Sequence, residues 1–163
     1  MDKPRYWPPN GAFCWLTACL VAVLLPSCSG VRTYSSTLPK NLLVATQVEG
    51  RTEVEFDVHR VNSRCELDHQ GRVSLGSGTT EVGIPVEETI YLDFIFASRS
   101  FLSSSTGVTR YSTLLTPRAG YDYRAEVRYE KGIYGVVVRE TRKGGSAGRV
   151  IDRVPLSACK ARA

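Results

Sequence analysis

The clearest signal along the chain is an alternation of apolar and polar residues with a period of two, the pattern of strands with one buried face. From Thr52 to Val58, Val54, Phe56 and Val58 fall on one face and Glu53, Glu55 and Asp57 on the other. Leu42–Val48 precedes this segment and reads as its hairpin partner, turned at Glu49-Gly50-Arg51. Further on, Val73 and Leu75 alternate, Gly76-Ser77-Gly78 interrupts, and Val82, Ile84 and Val86 alternate again. This predicts a second hairpin, with Pro85 marking an edge strand. Thr89–Phe96 carries Ile90, Leu92, Phe94 and Phe96 on one face and Tyr91, Asp93 and Ile95 on the other, so a central strand covered on both sides is expected. A serine-bearing loop over 98–107 separates it from a weaker strand at Thr109–Leu115.

The next pair permits a register test. Tyr121, Tyr123, Ala125, Val127 and Tyr129 share one parity, with Asp122, Arg124, Glu126, Arg128 and Glu130 on the other. A two-residue turn at Lys131-Gly132 sets Tyr129 opposite Tyr134, Val127 opposite Val136 and Ala125 opposite Val138, all on one face. A three-residue loop would set Tyr123 against Arg139 instead, so pattern and turn agree on the shorter loop. After a loop over 141–148 with Gly144-Gly145, Val150–Leu156 is a last short strand. About eight or nine strands at spacings of roughly 8–12 residues, with no competing helical period, predict an all-β antiparallel sandwich or barrel. A chain of 163 residues holds one such domain.

The first residues obey a different pattern. Lys3 and Arg5 precede a fourteen-residue apolar run, Ala12–Leu25, that stops at Pro26-Ser27-Cys28-Ser29-Gly30. That length suits the apolar region of a signal peptide and is short for a bilayer span. Leu25-Pro26-Ser27-Cys28 resembles the lipobox of bacterial lipoproteins, with Pro26 departing from the usual residue at its position. Leu16-Thr17-Ala18-Cys19 also fits but would strand Leu20–Leu25 in the mature chain. The resemblance implies an acylated Cys28 as mature N-terminus. Ser29, where Asp would mark inner-membrane retention, implies outer-membrane sorting toward the periplasm. An ordinary cut after Ser29, or an uncleaved anchor, would export the chain equally. The expected organisation is a signal peptide over 1–27, a lipidated tether over 28–39 and a β-sandwich domain over 40–163.

Cys14 and Cys19 then leave with the leader and Cys28 takes lipid, so Cys65 and Cys159 remain, and an oxidising compartment suggests one disulfide between them. His59, Cys65, Glu66, Asp68 and His69 lie close together and can all ligate zinc or copper. Without a CxxC or HxxxH partner they make half a site, and no metal is expected. With 21 Lys and Arg against 16 Asp and Glu, the formal charge of +5 is scattered, not clustered in a stripe with aromatics, which argues against nucleic acid.

Leu115-Thr116-Pro117-Arg118-Ala119-Gly120-Tyr121 resembles the tyrosine-corner segment of fibronectin type III and other immunoglobulin-like sandwiches, in the spacing of Leu115, Pro117 and Tyr121. The resemblance implies an immunoglobulin-like sandwich in which the Tyr121 hydroxyl bonds to backbone upstream. Nothing in the sequence assembles catalysis. No Gly-x-Ser-x-Gly elbow occurs, Ser103-Ser104-Ser105 has no nearby His, and Glu87-Glu88 would point to opposite faces of a strand. The expected function is therefore that of a membrane-anchored, non-catalytic envelope module, without cofactor beyond the lipid, that binds another envelope protein. The alternatives are a ligand-binding module for peptidoglycan or polysaccharide, an inhibitor of a cell-wall-attacking enzyme, or a metal carrier built on His59 and His69.

Overall fold

A computed structural model describes residues 30–48, 52–99, 106–130 and 133–160. The chain clusters into two compact units, 1–30 and 31–163, and the architecture below is that of the second. Among the described residues, nine strands run in chain order: β1 Leu42–Val48, β2 Thr52–Val61, β3 Leu67–Leu75, β4 Gly78–Val82, β5 Ile90–Arg99, β6 Thr106–Leu115, β7 Tyr121–Glu130, β8 Ile133–Arg142 and β9 Gly148–Ile151. A single helical turn, Ser157–Lys160, follows. The strands form a five-stranded sheet ordered β4-β1-β7-β8-β9 and a four-stranded sheet ordered β3-β2-β5-β6.

The two sheets form a β-sandwich because each has one apolar face to hide. Leu42 and Val44 of β1, Tyr123, Ala125 and Val127 of β7, and Val136 and Val138 of β8 share one buried cluster with Val54, Phe56 and Val58 of β2 and Ile90, Leu92, Phe94 and Phe96 of β5. Phe56 and Phe94 stack with ring centroids 5.2 Å apart. Strand β5 is central, as its two-faced apolar pattern predicts: even Asp93 and Ile95, on the face away from the core, are 7% exposed. The β7–β8 register is the predicted one, with Tyr129 opposite Tyr134, Val127 opposite Val136 and Ala125 opposite Val138. The turn at Lys131-Gly132 itself lies outside the described residues.

Two predicted hairpins are not formed. Strands β1 and β2 belong to different sheets, as do β3 and β4. Alternation identifies a strand but not its neighbour. In a sandwich, two apolar faces can be buried by stacking across the core as well as by lying side by side. Strand β1 instead pairs antiparallel with β4 and parallel with β7, Leu42 lying opposite Tyr123 and Val48 opposite Tyr129. Strand β4 is an edge strand as expected, but Pro85 lies beyond its end.

Within the segment 28–39, read from sequence as a tether, residues 32–34 are bonded to the sandwich. The Tyr34 N–H donates to the Arg72 carbonyl and the Arg72 N–H to the Arg32 carbonyl, each at 2.8 Å, so that Thr33 forms a parallel bridge with β3. The Tyr34 hydroxyl donates to the Gly83 carbonyl at 2.8 Å. Two glycines seat this segment: a Cβ on Gly71, whose φ is +145°, would lie 2.6 Å from Tyr34 backbone, and one on Gly83 would lie 2.4 Å from the Leu38 carbonyl oxygen. A disulfide joins Cys65, in the β2–β3 connection, to Cys159 in the terminal turn, 94 positions on.

Asn41 pins the start of β1. Its side chain accepts from the Ile84 N–H at 2.8 Å and donates to the Ile84 carbonyl at 2.9 Å, while its own carbonyl accepts from the Tyr123 N–H. Asn41 is 7% exposed, so its removal leaves buried donors and acceptors unmatched. We predict that Asn41→Ala lowers stability by about 2–3 kcal/mol in urea denaturation, with no change in m-value.

Candidate functional site

Three places on the sandwich carry more than packing. The first is the outer edge of β6. In an antiparallel pair, alternate residues send their N–H and C=O groups away from the neighbour. On β6 these are the even-numbered residues, since the Leu114 N–H donates outward to the Val154 carbonyl and the Ser112 carbonyl accepts from Arg153 Nε, both at 2.8 Å. Val108 and Arg110 follow the same parity, and their outward backbone groups meet no backbone partner among the described residues. The Val108 side chain is 56% exposed beside them.

The second is the outer face of the four-stranded sheet, where ionisable side chains from β2, β3, β5 and β6 interlock. Arg72 grips Asp57 with Nε to Oδ1 at 2.7 Å and Nη2 to Oδ2 at 2.9 Å, and reaches Glu55 with Nη1 at 2.9 Å. Burial works to raise the Asp57 pKa, but the hydrogen bonds and charge of Arg72, with His69 adding to them, outweigh it and hold the carboxyl below its usual range. His69 Nε2 lies 3.4 Å from Asp57 Oδ1. His59 sits opposite His69 across β2 and β3, with ring centroids 5.0 Å apart, and opposite Tyr91 on β5. Burial, with the neighbouring His69, lowers the His59 pKa. Asp93 lies directly across from Asp57 and is paired with Arg110.

The third is the corner where β6 turns into β7. Leu115 and Pro117 are buried there. The hydrogen-bonding tyrosine is Tyr123, not Tyr121. The Tyr123 hydroxyl accepts from the Arg118 N–H at 2.8 Å and lies 3.5 Å from Glu140 Oε2. Tyr121, at the start of β7, lies under the Arg118 guanidinium, 4.0 Å from its ring centroid. Both tyrosines have the inward parity that the sequence predicts. They differ in depth: Tyr123 is 2% exposed, whereas Tyr121 is half-buried at the start of β7.

Glu140, with its side chain 5% exposed, accepts from Arg118 Nη2 at 2.7 Å and from Arg149 at 2.9 Å through Nε and 2.6 Å through Nη2. Burial would raise its pKa, but the two arginines prevail and hold it low. The same arginines stand beside a groove of about 430 Å³ lined by Leu114, Leu115, Ile151 and Val154.

Of the other residues singled out by sequence, Cys28 and Ser103-Ser104-Ser105 lie outside the described residues. Cys65 is taken by the disulfide, so the two histidines meet Asp57 and not a thiol. Asn41, Arg72 and Glu140 escape the sequence reading. Each is an ordinary polar residue in an alternating segment, and its partners come from strands far along the chain.

Tyr123→Phe is expected to cost about 1–2 kcal/mol because it leaves the Arg118 N–H unmatched, whereas Tyr121→Phe should change the denaturation midpoint little. Glu140 has a depressed pKa in the folded state, so its contribution is complete above the ordinary glutamate pKa of about 4.3 and is lost as pH falls through the lower folded value. Glu140→Gln should therefore be less stable at pH 7 by about 1–3 kcal/mol, with a shallower loss of stability on acidification than the native chain, measured by urea titration at each pH. Comparison of the chain with protein-family models, curated proteins and solved structures finds no match.

Proposed function

We propose that this protein is an envelope lipoprotein, held to the membrane by lipid on Cys28, whose sandwich binds an extended segment of another envelope protein along β6. The observation that carries this reading is the open edge of β6 around Val108 and Arg110. A strand edge is a template for one more strand, and proteins ordinarily shorten or cover it. Here β4 has five residues and β9 four, and β3 is occupied by Thr33 at Arg72. Strand β6 has ten residues and, among the described residues, is covered by backbone toward its C-terminal end alone. A partner strand there would gain main-chain hydrogen bonds from β6 and apolar contact with Val108.

The docked N-terminal segment supports the anchoring half of the proposal. Arg32, the first described residue bonded to β3, comes four positions after Cys28, and four residues of chain span at most about 14 Å. Strands β3 and β6 are the two edges of the four-stranded sheet, and residues 32–34 are docked on the first of them.

The test is site-specific photocrosslinking from position 108 in intact cells with a C-terminally tagged chain. We expect one stoichiometric envelope protein to be captured. Val108→Pro, which removes an N–H that β5 does not use, should abolish capture from position 110 while leaving the thermal midpoint within a few degrees. Cys28→Ser should release the chain from the membrane fraction. Capture unaffected by Val108→Pro, or recovery of glycan fragments alone, would overturn the edge assignment and turn attention to the groove beside Arg118 and Arg149.

A further inference from the structure

The outer face of the four-stranded sheet holds a cluster that strand addition at β6 leaves unused. Asp57, His59 and His69 each bring a donor atom within 4.8 Å of the other two. A β-bulge is responsible. Val58 faces Gly71, but His59 faces His69, so Gln70 is the extra residue on β3. Were the ladder regular here, the parity of β3 would send His69 toward the core, on the side of Gly71 and Val73. With the bulge, His69 joins Arg72 and Ser74 on the outer face, directly across from His59.

The donors are held by neighbours. Tyr91 packs edge-on against His59 with ring centroids 5.8 Å apart. Arg72 fixes the Asp57 carboxylate through both oxygens from one side. A carboxylate has about four acceptor positions, which leaves lone pairs on the side of His69, whose Nε2 already lies 3.4 Å from Oδ1. Glu55 balances the charge of Arg72. Asp68 and Asp93 act on His59 together with Asp57, so the histidine pair sits in a negative field. The groups facing this pair from the packed strands are thus Asp57 and Glu55 of β2, Asp68 and Arg72 of β3, Asp93 and Tyr91 of β5, and Arg110 of β6. Two imidazoles and a carboxylate are the ligand set of zinc and copper, and too rich in nitrogen for calcium or magnesium.

We propose that His59, His69 and Asp57 bind one divalent cation of the imidazole-preferring kind, Zn²⁺ or Cu²⁺, with water completing its coordination. Arg72 acts as a positioning residue that orients the carboxylate, in the manner of outer hydrogen-bond partners at metal sites.

The experiment is calorimetric titration of the untagged, disulfide-bonded chain with Zn²⁺ alone, paired with the electron paramagnetic resonance spectrum of the Cu²⁺ form. One ion per chain is expected, with nitrogen hyperfine structure from two imidazoles and a higher thermal midpoint in the presence of metal. His69→Gln and His59→Gln should each weaken Zn²⁺ binding by at least about tenfold. The His69 side chain is 37% exposed, so His69→Gln should keep the metal-free midpoint close to native and separate loss of binding from loss of fold. Absence of saturable one-to-one binding would overturn the proposal, as would binding or a copper spectrum unchanged in the double variant.

Discussion

The five-stranded sheet depends on one pairing that joins distant parts of the chain, the parallel ladder between β1 and β7. Without it β7, β8 and β9 would be an isolated meander, and β1 and β4 a separate two-stranded ribbon. A parallel pair has no hairpin turn to set its register, so something else must. Asn41 supplies it: its side chain holds the Ile84 backbone, just beyond β4, while its carbonyl receives the first N–H of the β7 contact. Asn41 thereby ties the start of β1 to both of its neighbours. Its burial makes the arrangement specific, because a shifted register would strand the amide's donors and acceptors away from water.

Local physics was legible, and so were the elements it determines. Strand alternation, the covered nature of β5 and the β7–β8 register all follow from side-chain parity and turn length, quantities contained within a few dozen consecutive residues. Which strands lie side by side was not legible for β1, β2, β3 and β4, because Glu49-Gly50-Arg51 and Gly76-Ser77-Gly78 suit a crossing between sheets as well as a hairpin. The corner shows the same boundary at finer scale. The spacing of Leu115, Pro117 and Tyr121 marks a corner, but that the Tyr123 hydroxyl meets the Arg118 N–H depends on how the connection folds back over β7.

The histidine cluster was hidden for a different reason. A bulge breaks the period on which the reading of β3 relies, and Val73 and Leu75 place the odd-numbered residues inward only as far as Gly71. Seen by sequence, His69 belongs with a solvated loop. In the sheet it is one member of a network built around two aspartates, Asp57 and Asp93, that face each other across β2 and β5 and are each less than a tenth exposed. Like charges in opposite positions repel. They are tolerable here because Arg72 approaches from β3 and Arg110 from β6, one arginine for each carboxylate. The charges on this face are therefore interdependent. Removing either arginine leaves an uncompensated carboxylate beside another, which is costlier than losing an exposed ion pair.

The same chain that builds the sheets also limits what can be added to them. On β3 the polypeptide's own residues 32–34 occupy the edge, and the fit is sterically exact only because position 71 has no side chain. On β6 the Val154 carbonyl and the Arg153 side chain close the end nearest the disulfide-bonded terminal turn, and their coverage stops at Ser112. The disulfide holds that returning segment against β6 by way of the β2–β3 connection. A partner strand could extend along β6 from Gly107 to Arg110 but would meet Arg153 beyond it. Where the C-terminal segment crosses the edge thus limits the stretch of β6 over which an added strand, of the kind proposed above, could pair.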